Sequence, residues 1–74
     1  MLNTCILIKT TPLDVDDVLH KAEKVKGVRK AFLAYGRYDI VAFGEGAGYP
    51  EMRKISELIN EIQGVRSTET LVEG

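Results

Sequence analysis

One cysteine, one histidine, two prolines and no tryptophan: this 74-residue sequence does without much of the usual chemistry. The single Cys5 cannot close an internal disulfide, and no cluster of ligand residues offers a metal site. No apolar run approaches the length of a membrane span. The opening residues, MLNTCILIKTTP, lack the positive region that precedes the apolar stretch of a signal peptide. With one free thiol and no such signal, a cytoplasmic location is expected. An excess of one charge is missing too. Ten Lys and Arg stand against eleven Asp and Glu, for a net charge of -1. Nucleic-acid binding draws on a basic face, so direct contact with nucleic acid is not expected.

What is present is one small domain, residues 1–74, with 45% hydrophobic residues. A chain this short buries only about 60% of the surface it exposes when unfolded. Without disulfides or metals, a partner subunit is the expected help. LNTCILIKT (Leu2–Thr10) is short, apolar and β-branched, and reads as a strand. Thr11 as N-cap, Pro12 at the first helical position and Asp14 in the first turn open a helix. Val15, Val18, Leu19, Ala22 and Val25 repeat at helical spacing over Leu13–Lys26, and Gly27 ends the run. Val28–Tyr35 and Asp39–Gly44 read as a β-hairpin. GEGAGYP comes next as a loop. Pro50 opens a second helix with Met52, Ile55, Leu58, Ile59 and Ile62 on one stripe, closed by Gly64. Val65–Val72 is the last strand.

The order β-α-β-β-α-β predicts an α+β, ferredoxin-like fold with a four-stranded antiparallel sheet and two helices on one face. KVKGVRKAFLAY and EIQGVRSTETLV echo each other, each running from helix end through Gly-Val-Arg into a strand. Strand side chains alternate between faces. Leu2, Ile6 and Ile8 oppose Cys5 and Leu7. Val28, Phe32 and Ala34 oppose Ala31, Leu33 and Tyr35. Ile40 and Ala42 oppose Val41 and Phe43. Both faces are apolar, yet two helices cover only one. A second copy is the simplest cover for the other.

Two stretches suggest a site. In YGRYD, Tyr35–Asp39, Gly36 suits a turn, and a plain hairpin loop is one reading. The other is a zwitterion site. Asp39 would accept from an ammonium, turn amides near Gly36 or Arg37 would donate to a carboxylate, and Tyr35 and Tyr38 would wall the pocket. RSTET, Arg66–Thr70, puts hydroxyls on a strand expected to be central or nearly so. It reads as a half-exposed strand or as a wall that hydrogen-bonds a polar ligand. GEGAG (Gly44–Gly48) fails as a phosphate loop, since position 49 is Tyr and no Gly-Lys-Ser/Thr comes after it. His20 lies beside the first helix's stripe and reads as solvated. Cys5 reads as a small core residue. Asp14, Asp16, Asp17 and Glu51 sit in helix first turns, where the dipole accounts for them. Nothing marks an enzyme or a cofactor.

GVRKAFLAYGRYDIVAF, then a helix, then GVRSTETLV resembles the effector-binding domain of the Lrp/AsnC transcription regulators, the RAM domain. The likeness covers essentially the whole chain. Its most specific parts are the Gly-x-Tyr-Asp turn and the Gly-Val-x-Ser-Thr-x-Thr lead into the last strand. The resemblance implies dimers packed sheet to sheet, joining into tetramers or octamers, with amino-acid effectors in clefts between dimers. Carried over, the ligand-binding residues are Tyr35, Gly36, Tyr38, Asp39, Ser67, Thr68 and Thr70, with Arg37 and Glu69 in range. Two features depart from that pattern. Gly44–Gly48 is glycine-rich where the family tends to acidic or polar residues. The N-terminal helix-turn-helix domain is missing, which implies a stand-alone sensor acting through another protein, such as a full-length regulator. Three rivals remain. A small α+β barrel enzyme, monooxygenase- or isomerase-like, needs a pocket within one chain. An ACT-like module would bind beside Thr11–Leu13. A ligand-free assembly module would bind nothing small.

Overall fold

A computed structural model describes residues 1–73. The elements are β1 (Leu2–Thr10), a 3-10 turn (Pro12–Asp14), α1 (Val15–Glu23), β2 (Val28–Leu33), β3 (Ile40–Gly46), α2 (Tyr49–Asn60) and β4 (Val65–Val72). The sheet is antiparallel throughout, in the order β2-β3-β1-β4. The ferredoxin-like α+β arrangement is therefore as the sequence pattern predicts.

The core lies between the sheet and the helices. Ile6 and Ile8 of β1 and Ile40 and Ala42 of β3 meet Val18 and Ala22 of α1 and Met52, Ile55 and Ile59 of α2. All nine are essentially out of water. Ile6 and Ile8 pair across β1 and β3 with Ala42 and Ile40, so strand alternation aligns four buried side chains on one face. Burying one such aliphatic side chain contributes about 1.5–3 kcal/mol.

The two Gly-Val-Arg units form matching junctions. Gly27 and Gly64 take φ of +99° and +103°, in the left-handed region that favours glycine. The Gly27 carbonyl accepts from the Glu45 amide at 2.9 Å, and the Gly64 carbonyl from the Thr11 amide at 3.0 Å. Val28 and Val65 then pack against the core. Arg29 and Arg66 each fall where the strand register slips, between Val28 and Lys30 and opposite Lys9–Thr10.

Four details differ from the sequence reading. First, α1 is shorter than Leu13–Lys26. Thr11 makes no side-chain cap to a backbone amide; its hydroxyl donates to the Asp14 carboxylate instead. That tightens Pro12–Asp14 into a 3-10 turn. At the other end, Lys24 and Val25 bond back three residues, to Lys21 and Ala22, and the helix closes early.

Second, GEGAGYP is not all loop, because β3 runs on through Gly46. Gly44 and Gly46 are buried under α2. A Cβ on Gly46 would lie 2.6 Å from Met52 Cε and 2.7 Å from Glu51 Cβ, so glycine lets the helix sit close on the strand. Third, β2 ends at Leu33, and the slip at Arg29 changes its phase. Val28 stays on the helix side, joined by Ala31, while Phe32 turns to the open face. Fourth, β4 is an edge strand rather than a central one, and an edge tolerates its polar residues.

Candidate functional site

The open face of the sheet carries an apolar centre. Cys5 pairs with Phe43 on one side and Leu71 on the other, and Leu7 pairs with Val41, which pairs with Phe32. Phe32 and Phe43 stack with tilted rings, centroids 6.0 Å apart, and Lys30 Nζ lies 5.6 Å from the Phe32 ring centre. Leu71 is 52% exposed.

The YGRYD turn sits at the end of this sheet. It is held by the Ala34 amide to the Asp39 carbonyl and by the Asp39 amide to the Ile8 carbonyl, both at 2.9 Å. Asp39 Oδ2 accepts from the Thr10 amide at 2.9 Å, tying the turn to the end of β1. Lys9 Nζ reaches the Arg37 carbonyl at 3.3 Å. Tyr38 donates its hydroxyl to Glu69 Oε1 at 3.0 Å. That hydrogen bond to a carboxylate is the main reason the Tyr38 phenol lies above its ordinary pKa. Gly36 takes φ of +121° at the apex, and Tyr35 is 98% exposed.

The seven expected ligand residues therefore divide into groups. Tyr38 lies with Glu69 and Lys9, and Ser67, which pairs with Lys9, shares that end of the open face. Thr68 and Thr70 alternate to the other face and meet α2. Thr68 donates to Asn60 Oδ1, and Thr70 shares a hydrogen bond with Ser56 Oγ, both at 3.0 Å. Asp39 and Tyr35 line a groove of about 340 Å³ with Pro12, Val15, Leu33 and Ala34. Thr70 lines another of about 310 Å³ with Arg53 and Ser56. No single one of these clefts gathers all seven.

Lys9, Ser56 and Asn60 bond to the turn or to these residues, and the sequence pattern does not point to them as such. Ser56 and Asn60 lie four apart on α2, each directly after a buried isoleucine of the stripe, Ile55 and Ile59. That spacing marks a polar edge beside the apolar stripe, where β4 comes to rest. Lys9 gives no comparable signal, because only the turn's approach to β1 brings it into the cluster. No group of three or more metal-ligating side chains gathers among the described residues. Nor is any helix there long and apolar enough to cross a membrane.

No protein-family model matches the chain, and no curated protein does. Solved structures match closely. TTHA0845 from Thermus thermophilus superposes with a TM-score of 0.94 at 24% identity, over 100% of this chain and 94% of that one. The hypothetical protein PHS023 from Pyrococcus horikoshii gives 0.88 at 24%, over 99% and 89%. E. coli AsnC gives 0.87 at 24%, over 97% of this chain and 50% of AsnC. At these identities the likeness is one of fold. The chain has the ferredoxin-like fold of a part of AsnC.

Proposed function

We propose that this chain is an effector-sensing domain of the Lrp/AsnC type, acting in regulation rather than catalysis. Two copies pack open face to open face. A small amino acid binds where such pairs meet, against the YGRYD turn and β4. Its output passes through another protein. A full-length regulator of the same kind is the natural partner.

One observation carries the reading. Of the expected ligand residues, Tyr38 and Ser67 lie at one end of the uncovered apolar face while Thr68 and Thr70 face α2, and the set divides among separate clefts of one chain. Such a set becomes a pocket only when a neighbouring chain closes it. Among the described residues the buried polar side chains are Thr4 and Thr10, with no buried ionisable group, which disfavours the barrel-enzyme alternative, since that needs a polar pocket with His, Asp or Tyr inside one subunit.

Thermal unfolding against a panel of amino acids tests the binding. A ligand that binds only the folded state adds about 2.7 kcal/mol at a hundred times its dissociation constant. One or a few amino acids should raise the midpoint. A flat panel would turn the reading towards a ligand-free assembly module. Light scattering at micromolar concentration tests the pairing, and a monomer there contradicts it.

A further inference from the structure

Two features at opposite ends of the molecule have no part in that reading. At the end where β1 finishes, Leu13 stands 99% exposed on the 3-10 turn, beside exposed Pro12. Asp14 comes next, then Asp16 and Asp17 in the first turn of α1, the last two exposed. This tip is an apolar knob in an acidic setting. At the other end, where β3 finishes, lies a cleft of about 400 Å³. Ile55 and Leu58 give it apolar walls, and Lys26 and Lys54, both exposed, stand on its rim. Glu45 and Glu51 also border it. Arg29 already holds the Glu45 carboxylate at 2.8 Å, which leaves two lysines against one glutamate.

We infer that the Leu13 tip of one copy seats in the Lys26/Lys54 cleft of a second copy. Apolar knob meets apolar wall, and an acidic turn meets a basic rim, which steers the encounter and sets its direction. Both surfaces are on one chain, so the contact is head to tail. It closes into a ring or runs on as a filament, unlike the two-fold pairing of open faces. It uses neither the open face nor the expected effector residues. One contact of this size is weak. A dimer carries two tips and two clefts, and linking them raises the effective concentration of the second contact.

The test is sedimentation velocity on the wild type, on Leu13→Asp, and on the double variant Lys26→Glu/Lys54→Glu. The substituted side chains are all exposed, so circular dichroism should show native folds. With no amino acid added, the wild type should form a species larger than the face-to-face dimer at micromolar concentrations. Each variant alone should lose it. An equimolar mixture should regain it, because one variant brings an intact cleft and the other an intact tip. The inference is overturned if the wild type shows no such species, if either variant keeps the wild-type distribution, or if the mixture fails to recover. If the open faces do not pair, the wild type still assembles from monomers, while the mixture stops at a heterodimer, because each variant then keeps only one working surface. A small anion filling the cleft instead would leave Leu13→Asp without effect.

Discussion

Gly27-Val28-Arg29 and Gly64-Val65-Arg66 are the same joint used twice, yet the two joints lead into strands of different chemistry. Both glycines turn the chain out of a helix, both carbonyls take an amide from another element, and both arginines mark a slip in strand register. After the first joint come Lys30 and Phe32, and β2 adds an aromatic ring to the open face. After the second come Ser67, Thr68, Glu69 and Thr70, and β4 commits its side chains to hydrogen bonds with α2 and Tyr38. The backbone frame repeats while the side-chain chemistry divides. One half adds an aromatic ring to the open face, and the other adds polar groups that bond α2 and Tyr38.

The comparison breaks most sharply at the glycines. An L-residue in the left-handed region costs about 1–2 kcal/mol, and overpacking adds about 1–3 kcal/mol. An added Cβ at Gly64 lies 2.6 Å from Asp14 Cβ, close to rigid backbone. At Gly27 it lies 2.6 Å from Ile55 Cδ1 and 2.9 Å from Ile55 Cγ1, outer atoms of a core side chain that yield more readily than an atom joined to the backbone. Gly64→Ala should therefore lose about 3 kcal/mol and Gly27→Ala about 2 kcal/mol by denaturant titration. Equal losses would mean that the local neighbours do not decide the cost.

Next come the bonds that distinguish the halves. Thr70→Val leaves the half-buried Ser56 hydroxyl without its partner and should cost about 1 kcal/mol. Arg29→Ala removes an ion pair whose arginine side chain is 70% exposed, and should change stability by less than about 0.5 kcal/mol. A larger loss at Arg29 than at Thr70 would reverse the assignment of polar structure to the second half.

The smallest effect belongs to Tyr38. Its folded-state pKa is raised, so its contribution is fully present below the ordinary value of 10.0 and is lost as pH rises through the folded value above that. Tyr38→Phe should leave thermal unfolding near neutral pH almost unchanged and remove this share of the alkaline loss. An unchanged alkaline limb in the variant would show that the Glu69 bond carries no weight in solution.

Most of the fold is legible in the sequence because periodicity and punctuation agree. The bounds of β1 and β4 come from β-branched runs ended by turn residues, and the two helices from stripes ended by glycine. The misreadings have local causes. Glycines in β3 look like a loop because nothing in the sequence shows that a helix lies on them. Strict alternation puts Phe32 on the wrong face because a one-residue slip at Arg29 reverses every later side chain in β2. The candidate site is legible as residues and not as geometry. Thr68 and Thr70 differ from Ser67 by strand parity, but which parity meets α2 depends on the slip at Arg66. Lys9 joins the cluster only through the fold.

The central claim is that the site is completed by a second chain. Isothermal titration of the stabilising amino acid into the wild type and into Phe43→Asp tests it most directly, since a charge at the centre of the open face should prevent pairing. The account predicts saturable heat with the wild type and none with a folded, monomeric Phe43→Asp. Equal affinity in the monomer would place the whole site within one chain and contradict it.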